Sequence, residues 1–196
     1  MLIGLTGMSG AGKSTIAALF VKKGFRLIDC DALVHSLYKE KQYSVLVEQA
    51  FGSDYIKDGI VDRKKLGSLV FSDPASLKKL NETVSPFIMN AVISHIEAAK
   101  KQDISTVLDA PLLFEYGLEK YCDLVVGITT DIEIAVKRLS ARDGRSETEI
   151  RSCLASQHDS DFFRKHCDYV LENNGDLTIL SHSFEDIHRI ATAGCL

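Results

Sequence analysis

The stretch "GLTGMSGAGKST" at residues 4–15 decides the fold class. Gly7 is followed after four residues by Gly12, with Lys13 and then Ser14 directly behind it. This is the spacing of a loop whose backbone N–H groups wrap around nucleotide phosphates. An apolar run precedes the loop and an amphipathic pattern follows it, so the stretch predicts a strand, a phosphate-binding loop and a helix. It does not indicate which molecule receives a phosphate.

The loop residues have separable expected roles. Lys13 is expected to bring positive charge to the β- and γ-phosphates, and the Ser14 hydroxyl is expected to bind Mg²⁺. The glycines let the backbone N–H groups turn inward toward the phosphates. The residues expected to bind the nucleotide here are Gly7, Gly10, Ala11, Gly12, Lys13, Ser14 and Thr15.

Short apolar runs rich in β-forming residues predict the sheet. They are nearly continuous rather than alternating, which is typical of parallel strands buried on both faces. With helical patterns between them, they predict an α/β protein with a five-stranded parallel sheet between helical layers. Gly24 is expected to end the first helix. The predicted strands are Leu2–Thr6, Phe25–Asp29, Thr106–Asp109, Leu124–Thr129 and Tyr169–Glu172.

A long excursion, from about residue 31 to 105, separates the second and third predicted strands. Its pattern predicts helices throughout, and Ser85 followed by Pro86 predicts the start of a new helix. An insertion of this size often binds a substrate, although it could be only extra scaffold. The predicted helices are Val45–Phe51, Arg63–Phe71, Pro74–Val84 and one from Pro86 onward.

The segment after the fourth predicted strand carries a row of arginines. Thr130 with Glu133, and Ser146 with Glu149, have the spacing of capping boxes. Arginines in such a helix usually form a solvated face. Behind a phosphate loop they are also candidates for a lid that offsets charge on the transferred phosphoryl group. The arginines are Arg138, Arg142 and Arg145, and Arg142, just before an Asp-Gly turn, is the best lid candidate.

Carboxylates close two of the predicted strands, at the edge of an α/β sheet where ligands bind. Asp29 and Asp31 lie two residues apart, so on an extended chain they would point the same way. One carboxylate there can accept the proton of an attacking hydroxyl, while the other orients Mg²⁺-bound water or the substrate. Asp31 could instead only cap a helix beginning near Ala32. The spacing leaves both readings open.

Asp109 ends the third predicted strand, in "TVLDAPLLFE". This is the place of a carboxylate that binds Mg²⁺ through water. Asp109 could instead hydrogen-bond a neighbouring loop, and Glu115 is a weaker candidate nearby.

Composition limits the classes of protein. A formal net charge of -4 argues against a general nucleic-acid binder. No apolar run approaches the ~20 residues of a membrane span, and the first residues lack a signal-peptide pattern. The five cysteines are scattered, which favours free thiols in a reducing cytoplasm. The oligomeric state stays open, with a monomer favoured.

Six further blocks, in order from Ile3 to about Gly175, resemble the dephospho-coenzyme A kinases, which catalyse the last step of coenzyme A synthesis. The blocks are "IDCD" at 28–31, "DGIVDRKKLGSLVF" at 58–71, "DAPLLFE" at 109–115, "DLVVGI" at 123–128, "RLSARDGRSETEIRSCLASQ" at 138–157 and "DYVLENNG" at 168–175.

The resemblance implies ATP as the donor and the ribose 3′-hydroxyl of dephospho-CoA as the acceptor. It implies a nucleotide core (1–30, 105–137 and 166–196), a helical CoA-binding insertion (about 31–104) and a lid (about 138–165). It selects Asp31 as general base, and Asp31 joins Lys13 and Arg142 as the expected catalytic residues. Asn173-Asn174-Gly175 matches a family motif after the last strand, so this loop, with Asn174, is expected to line the adenine pocket, and Arg138 is also expected to bind the nucleotide.

Some positions depart from the family pattern. The loop often reads Gly-Gly-Ile-Gly-Ser-Gly-Lys in the family, whereas this chain has Met8, Ser9 and Ala11. His35 stands where the family often has Arg, and a neutral imidazole there would weaken a contact with substrate phosphate.

Two other interpretations start from the same loop. A shikimate- or gluconate-type kinase also carries an Asp-x-Asp after the second strand, but the Gly-Gly-Gly patch of shikimate kinases does not occur in this sequence. A nucleotide-dependent switch would be expected to carry Asn-Lys-x-Asp, which the sequence also lacks.

Overall fold

A computed structural model describes residues 1–175 and 177–193. Its strands are β1 (Leu2–Gly7), β2 (Arg26–Asp29), β3 (Ile56–Lys57), β4 (Ile60–Val61), β5 (Thr106–Asp109), β6 (Leu124–Thr129) and β7 (Tyr169–Glu172). Its helices are α1 (Lys13–Lys22), α2 (Cys30–Leu37), α3 (Lys41–Phe51), α4 (Arg63–Ser72), α5 (Pro74–Lys101), α6 (Ile132–Asp143), α7 (Glu147–Ala155), α8 (Ser160–His166) and α9 (Leu177–Ala193).

Five strands form one parallel sheet in the order β2-β5-β1-β6-β7, which confirms the predicted fold class. The central strand β1 pairs with β5 on one side and β6 on the other. Asp109 is in register with both Leu5 of β1 and Asp29 of β2. The register therefore brings Asp29, Asp109 and the loop after β1 to the same edge of the sheet.

Apolar packing explains why these strands lie at the centre. Every residue of β1 and β6 is buried, as expected for strands covered on both faces in a three-layer α/β/α fold. The ring of Phe20 in α1 packs edge-on against Phe25, with 5.2 Å between centroids, and against Phe184 in α9, with 4.8 Å. Gly24, with φ of 90°, follows the end of α1 and confirms the predicted stop.

The chain divides into two compact units. One contains residues 1–29 and the described residues from 98 onward, and the other contains Cys30–Glu97. The second unit has its own apolar core, made by helices and a short hairpin. The buried members of this core are Tyr43, Val47, Val61, Leu66, Val70 and Val84.

The prediction that the excursion is helical throughout was wrong at this hairpin. Strands β3 and β4 pair antiparallel, Ile56 with Val61 and Lys57 with Ile60. Asp58 and Gly59 join them with φ of 53° and 77°. Asp-Gly is a favoured pair for such a two-residue turn, because both positions need positive φ. The dipeptide was the signal in the sequence, although the strands are too short to show an alternating pattern.

The predicted helix start at Pro86 was also wrong, because α5 runs without interruption through this residue. A proline inside a helix removes one backbone hydrogen bond and crowds the preceding turn. Buried apolar residues on both sides of it, Val84 and Val92, favour a continuous helix. Burying such side chains contributes about 1.5–3 kcal/mol each, which offsets the cost of the proline.

Replacing the exposed Pro86 with alanine should therefore stabilise the protein. Alanine restores the N–H that can donate to the carbonyl of Glu82, and we expect the free energy of unfolding to rise by about 2 kcal/mol. Urea unfolding measures this change. Pro74→Ala is the matched control, because Pro74 is the first residue of α5, where proline is well tolerated and the substitution should not stabilise. Equal effects of the two substitutions would contradict the explanation.

Of the two predicted capping boxes, one is confirmed and one was wrong. Ser146 and Glu149 form a reciprocal capping box at the start of α7. The cap of α6 is Asp131, not Thr130, because the Thr130 hydroxyl donates instead to the Asn173 carbonyl at 2.8 Å.

The remaining composition-based expectations concern membranes and thiols. No helix among the described residues is both long and apolar enough to cross a membrane. Among the described residues, Cys30, Cys122, Cys153 and Cys167 form no disulfide bond, and Cys195 lies outside the described residues. Burial raises the pKa of the Cys122 and Cys167 thiols to about 12.

Candidate active site

The loop between β1 and α1 depends on glycine at its first position. Gly7 has φ of 139°, a conformation that side chains rarely adopt. A Cβ atom at Gly7 would collide with the backbone of Ile128 in the neighbouring strand β6. The N–H of Met8 donates to the Ile128 carbonyl at 2.9 Å, which fixes the start of the loop against the sheet.

The end of the loop is held by Asn173, the first residue after β7. Its buried side-chain amide donates to the Ala11 carbonyl at 2.6 Å. Gly12 has φ of 100°, and a Cβ atom there would lie 2.6 Å from Nδ2 of Asn173. The loop can therefore keep this hydrogen bond only when position 12 is glycine.

Arg138 of α6 adds a second connection between the loop and the segment after β7. Its Nη1 donates to the Asn173 carbonyl at 3.0 Å and, more weakly, to the Gly10 carbonyl at 3.4 Å. Its Nη2 donates to the Gly175 carbonyl at 3.2 Å. The structure therefore places Arg138 beside the loop, and its binding to a nucleotide stays a prediction.

Asn174 lies next to this connection but contacts the start of α6. Its Oδ1 accepts hydrogen bonds from the N–H of Asp131 at 2.8 Å and from the Thr130 hydroxyl at 3.1 Å. Asn174 therefore accepts the N–H of the N-cap residue of α6, although the side chain of that N-cap residue makes no capping hydrogen bond within the described part of the chain. The Asn-Asn-Gly segment has two visible structural roles, and its contact with a nucleotide stays a prediction.

Replacing Gly12 with alanine should destabilise the protein and abolish tight ATP binding. An alanine at position 12 would be strained by the positive φ, and its methyl group would also collide with the Asn173 amide. We therefore expect the free energy of unfolding to fall by about 3 kcal/mol. Gly24→Ala is the matched control, since Gly24 has φ of 90° but open space within 4 Å of the position that a Cβ would occupy, and should lose only about 1 kcal/mol. Urea unfolding measures the stability of both variants, and calorimetric ATP titration measures their affinity for ATP. If Gly12→Ala lost no more stability than Gly24→Ala, the predicted clash with Asn173 would be contradicted.

Charged and hydroxyl side chains project from the start of α1. Nζ of Lys13 lies 4.0 Å from Oδ1 of Asp109, and both side chains are largely buried, 15% and 13% exposed. Ser14 and Thr15 in the same helical turn are exposed. The structure thus brings three of the predicted residues, Lys13, Ser14 and Asp109, to one edge of the sheet.

These oxygen donors suit Mg²⁺. A serine hydroxyl and a carboxylate are hard ligands, and Mg²⁺ is usually held by one or two protein oxygens together with waters and substrate phosphates. The described residues contain no cluster of three or more His, Cys, Asp or Glu side chains that could hold a metal ion. That Ser14 and Asp109 hold Mg²⁺ stays a prediction.

The predicted geometry of Asp29 and Asp31 was wrong. Strand β2 ends at Asp29 and α2 begins at Cys30, so the two aspartates do not share an extended chain. Because the helix begins before Asp31, this residue lies in the first turn and is not an N-cap. A carboxylate in a first turn is favoured by the helix dipole. Asp31 belongs to the second unit, and its catalytic role stays a prediction.

Arg142, the predicted lid arginine, is paired with the next residue. Its Nε and Nη2 donate to the two carboxylate oxygens of Asp143 at 2.6 and 2.9 Å. These hydrogen bonds lower the pKa of Asp143 and raise the pKa of Arg142. The Arg142 side chain is 67% exposed. It is therefore fully charged, and its partner in this structure is Asp143 rather than a phosphate-loop group.

The roles of two polar residues at the loop were missed in the sequence. Asn173 holds the Ala11 carbonyl, and Gln157 hydrogen-bonds Ser9 at two points. Both lie inside sequence blocks that resemble the dephospho-CoA kinases. Their position in those blocks was the available signal, but spacing along the chain does not indicate which backbone atoms they contact.

Known proteins resemble this chain over most of its length. The family model described as "Dephospho-CoA kinase" matches residues 1–178. The chain belongs to the dephospho-CoA kinase family. A dephospho-CoA kinase from Fusobacterium nucleatum is 34% identical over 186 residues, which cover 94% of this chain and 95% of the relative.

Solved structures of related proteins agree with the fold. A crystal structure from Thermus thermophilus is 33% identical, with a TM-score of 0.78 and coverage of 95% of both chains. A dephospho-CoA kinase from Campylobacter jejuni, 22% identical, has a TM-score of 0.68 and covers 96% of this chain and 95% of its own. That second similarity supports the fold alone.

Proposed function

We propose that this member of the dephospho-CoA kinase family transfers the γ-phosphoryl group of ATP to the ribose 3′-hydroxyl of dephospho-CoA, which yields coenzyme A and ADP. The observation that carries the proposal is the phosphate loop held at the sheet edge with Lys13 facing Asp109. Lys13 supplies positive charge for the phosphates of ATP, and Asp109 supplies a carboxylate for Mg²⁺. Membership of the dephospho-CoA kinase family selects dephospho-CoA as the acceptor.

The donor half of the mechanism uses the loop and the start of α1. Backbone N–H groups of the loop and the Lys13 ammonium bind the β- and γ-phosphates. Ser14 and Asp109 would hold Mg²⁺, which would supply positive charge to offset the negative charge of the phosphates. Arg138 and Asn174 border the nucleotide at the segment after β7. These groups orient the γ-phosphoryl group for in-line attack.

The acceptor half uses Asp31 and Arg142. Asp31 accepts the proton of the 3′-hydroxyl while the oxygen of that hydroxyl bonds to the γ-phosphorus, and the bond to the β-phosphate oxygen breaks to release ADP. Arg142 exchanges its Asp143 carboxylate partner for the transferred phosphoryl group, since a bidentate guanidinium accepts either anion. Both roles are supported by residue chemistry and the family resemblance.

The three functional parts follow the family pattern. Residues 1–30, 105–137 and 166–196 form the nucleotide core, residues 31–104 bind dephospho-CoA, and residues 138–165 form the lid. We place the protein in the cytoplasm, because scattered thiols are typical of a reducing compartment. The oligomeric state stays open, with a monomer favoured.

ADP release from the purified protein tests the proposal. The protein is mixed with Mg-ATP alone, or with dephospho-CoA, shikimate or gluconate. We expect strong stimulation by dephospho-CoA only. Stimulation by shikimate or gluconate instead would replace the proposed acceptor, and ADP release without any acceptor would point to an ATPase.

A further inference from the structure

Gln157, two residues beyond the end of α7, contacts the phosphate loop at two points. Its Oε1 accepts a hydrogen bond from the backbone N–H of Ser9 at 3.1 Å, and its Nε2 donates to the Ser9 hydroxyl at 2.9 Å. The amide thus acts as donor and acceptor toward one residue. Since Ser9 lies between Gly7 and Gly10, this contact fixes the first half of the loop.

The segment that carries Gln157 is anchored on both sides. The backbone N–H of Gln157 donates to the Leu154 carbonyl at 3.1 Å, which ties the residue to α7. The ring of the next residue, His158, stacks on Phe162 with 3.5 Å between centroids and an interplanar angle of 5°. The Ser160 hydroxyl lies 3.4 Å from the sulfur of Met8 in the loop. The amide of Gln157 is therefore presented to Ser9 by an ordered segment.

The loop is consequently held from two directions. Asn173 and Arg138 hold the carbonyls of Ala11 and Gly10, whereas Gln157 holds the N–H and hydroxyl of Ser9. Phosphate binding requires the remaining N–H groups of such a loop to be oriented before the ligand arrives. If one end of the loop were free, the loop would have to become ordered when ATP binds, and the cost of that ordering would weaken binding.

We propose that Gln157 is a positioning residue for phosphoryl transfer, whose amide fixes Ser9 and thereby keeps the phosphate loop in its nucleotide-binding shape. Gln157 does not contact the phosphates in this role. It also connects the loop directly to the segment 138–165. The inference rests on the proposed function only for the transfer step, because loop order affects ATP binding even without an acceptor.

Substitutions at Gln157 and Ser9 differ in which of the two hydrogen bonds they keep and in the charge they add. Glutamate at position 157 can accept from the Ser9 N–H and, after hydroxyl rotation, from Ser9 Oγ, so it keeps both contacts. It adds a negative charge beside the nucleotide phosphates, whose repulsion is screened by salt. Alanine removes both contacts and adds no charge. Ser9→Ala removes only the hydroxyl contact and leaves the backbone N–H bonded.

The test uses Gln157→Ala, Gln157→Glu, Ser9→Ala and the double alanine variant, with calorimetric ATP affinity, steady-state kinetics and melting temperature as readouts. We expect Gln157→Ala to weaken ATP binding about 10-fold, the cost of one to two hydrogen bonds. Ser9→Ala should cost about 2-fold, and the double variant no more than Gln157→Ala, because the two residues act as a unit. Gln157→Glu should also weaken ATP binding, and high salt should restore part of the affinity.

Gln102→Ala is the control, because Gln102 is an exposed residue whose amide oxygen accepts from Arg26 far from the loop in sequence. It should leave ATP affinity unchanged. Gln157→Ala with ATP affinity within twofold of the parent protein would overturn the proposal. The proposal would also be overturned if Gln157→Ala raised the KM of ATP and the KM of dephospho-CoA equally and lowered the melting temperature. That combination is the result expected of a merely structural role. Failure of the parent protein to use dephospho-CoA would contradict the proposed function and leave the ATP-affinity result intact.

Discussion

Lys13→Ala should lower kcat/KM for ATP by about 10³-fold, one of the two largest effects expected of a single substitution here. The ammonium is largely buried and lies 4.0 Å from the Asp109 carboxylate. Its removal takes away the positive charge expected at the β- and γ-phosphates and leaves the carboxylate facing the same anions. We expect KM for ATP to rise and kcat to fall, because the ammonium charge acts both on bound ATP and in the transition state. Initial-rate kinetics over a range of Mg-ATP concentrations measure the loss.

Lys22→Ala is the matched control for this substitution. Lys22 lies in the last turn of the same helix and is exposed, so its removal changes the net charge equally but not the charge at the loop. We expect its kinetics to stay within about twofold of the parent protein, as is usual for exposed sites. Unchanged kinetics for Lys13→Ala, or equal losses for the two lysines, would refute the assignment of the phosphate loop.

Asp31→Asn should reduce kcat by about 10³-fold while calorimetric ATP affinity changes by less than about twofold. An amide cannot accept the proton of the 3′-hydroxyl, but it has nearly the same size and keeps its place in the first turn of α2. The split between kcat and ATP affinity is the diagnostic feature, because general loss of folding would reduce both. Single-turnover kinetics with preformed ATP complex isolate the transfer step.

Asp54→Asn supplies the comparison for Asp31. Asp54 is an exposed carboxylate in the same unit, in a short turn after α3, and its replacement should leave kcat unchanged. A near-normal kcat for Asp31→Asn would exclude Asp31 as the general base. In that case Asp29, which ends β2 in register with Asp109, would be the next carboxylate to replace.

The sheet could be predicted from the sequence because its signal is local. Strands such as Leu124–Thr129 are buried along their whole length, so each appears as an uninterrupted apolar run. The phosphate loop is equally local, since its glycine spacing and its flanking strand and helix occupy neighbouring positions. The turn at Asp58-Gly59 was also locally encoded, but its strands have only two residues each and give no periodic pattern.

The connections around the loop could not be predicted from the same patterns. The Ser9–Gln157 contact spans 148 residues and the Asn173–Ala11 contact spans 162. Neither has a periodicity or spacing that identifies its partner, because the pairing is created by the fold. Similarly, the N–H of Asp131, the N-cap residue of α6, donates to the Asn174 side chain 43 residues away, and Glu133 does not take the predicted capping role. Long-range polar contacts therefore complete a site whose centre is locally encoded.

The most direct test of the proposed function is the position of the phosphate in the product. The protein is incubated with Mg-ATP and dephospho-CoA, and the purified product is characterised by phosphorus NMR with proton correlation. We predict one new phosphomonoester whose phosphorus couples to the ribose 3′ proton, together with a stoichiometric amount of ADP. A phosphate on any other hydroxyl, or unchanged dephospho-CoA beside consumed ATP, would contradict the proposed function.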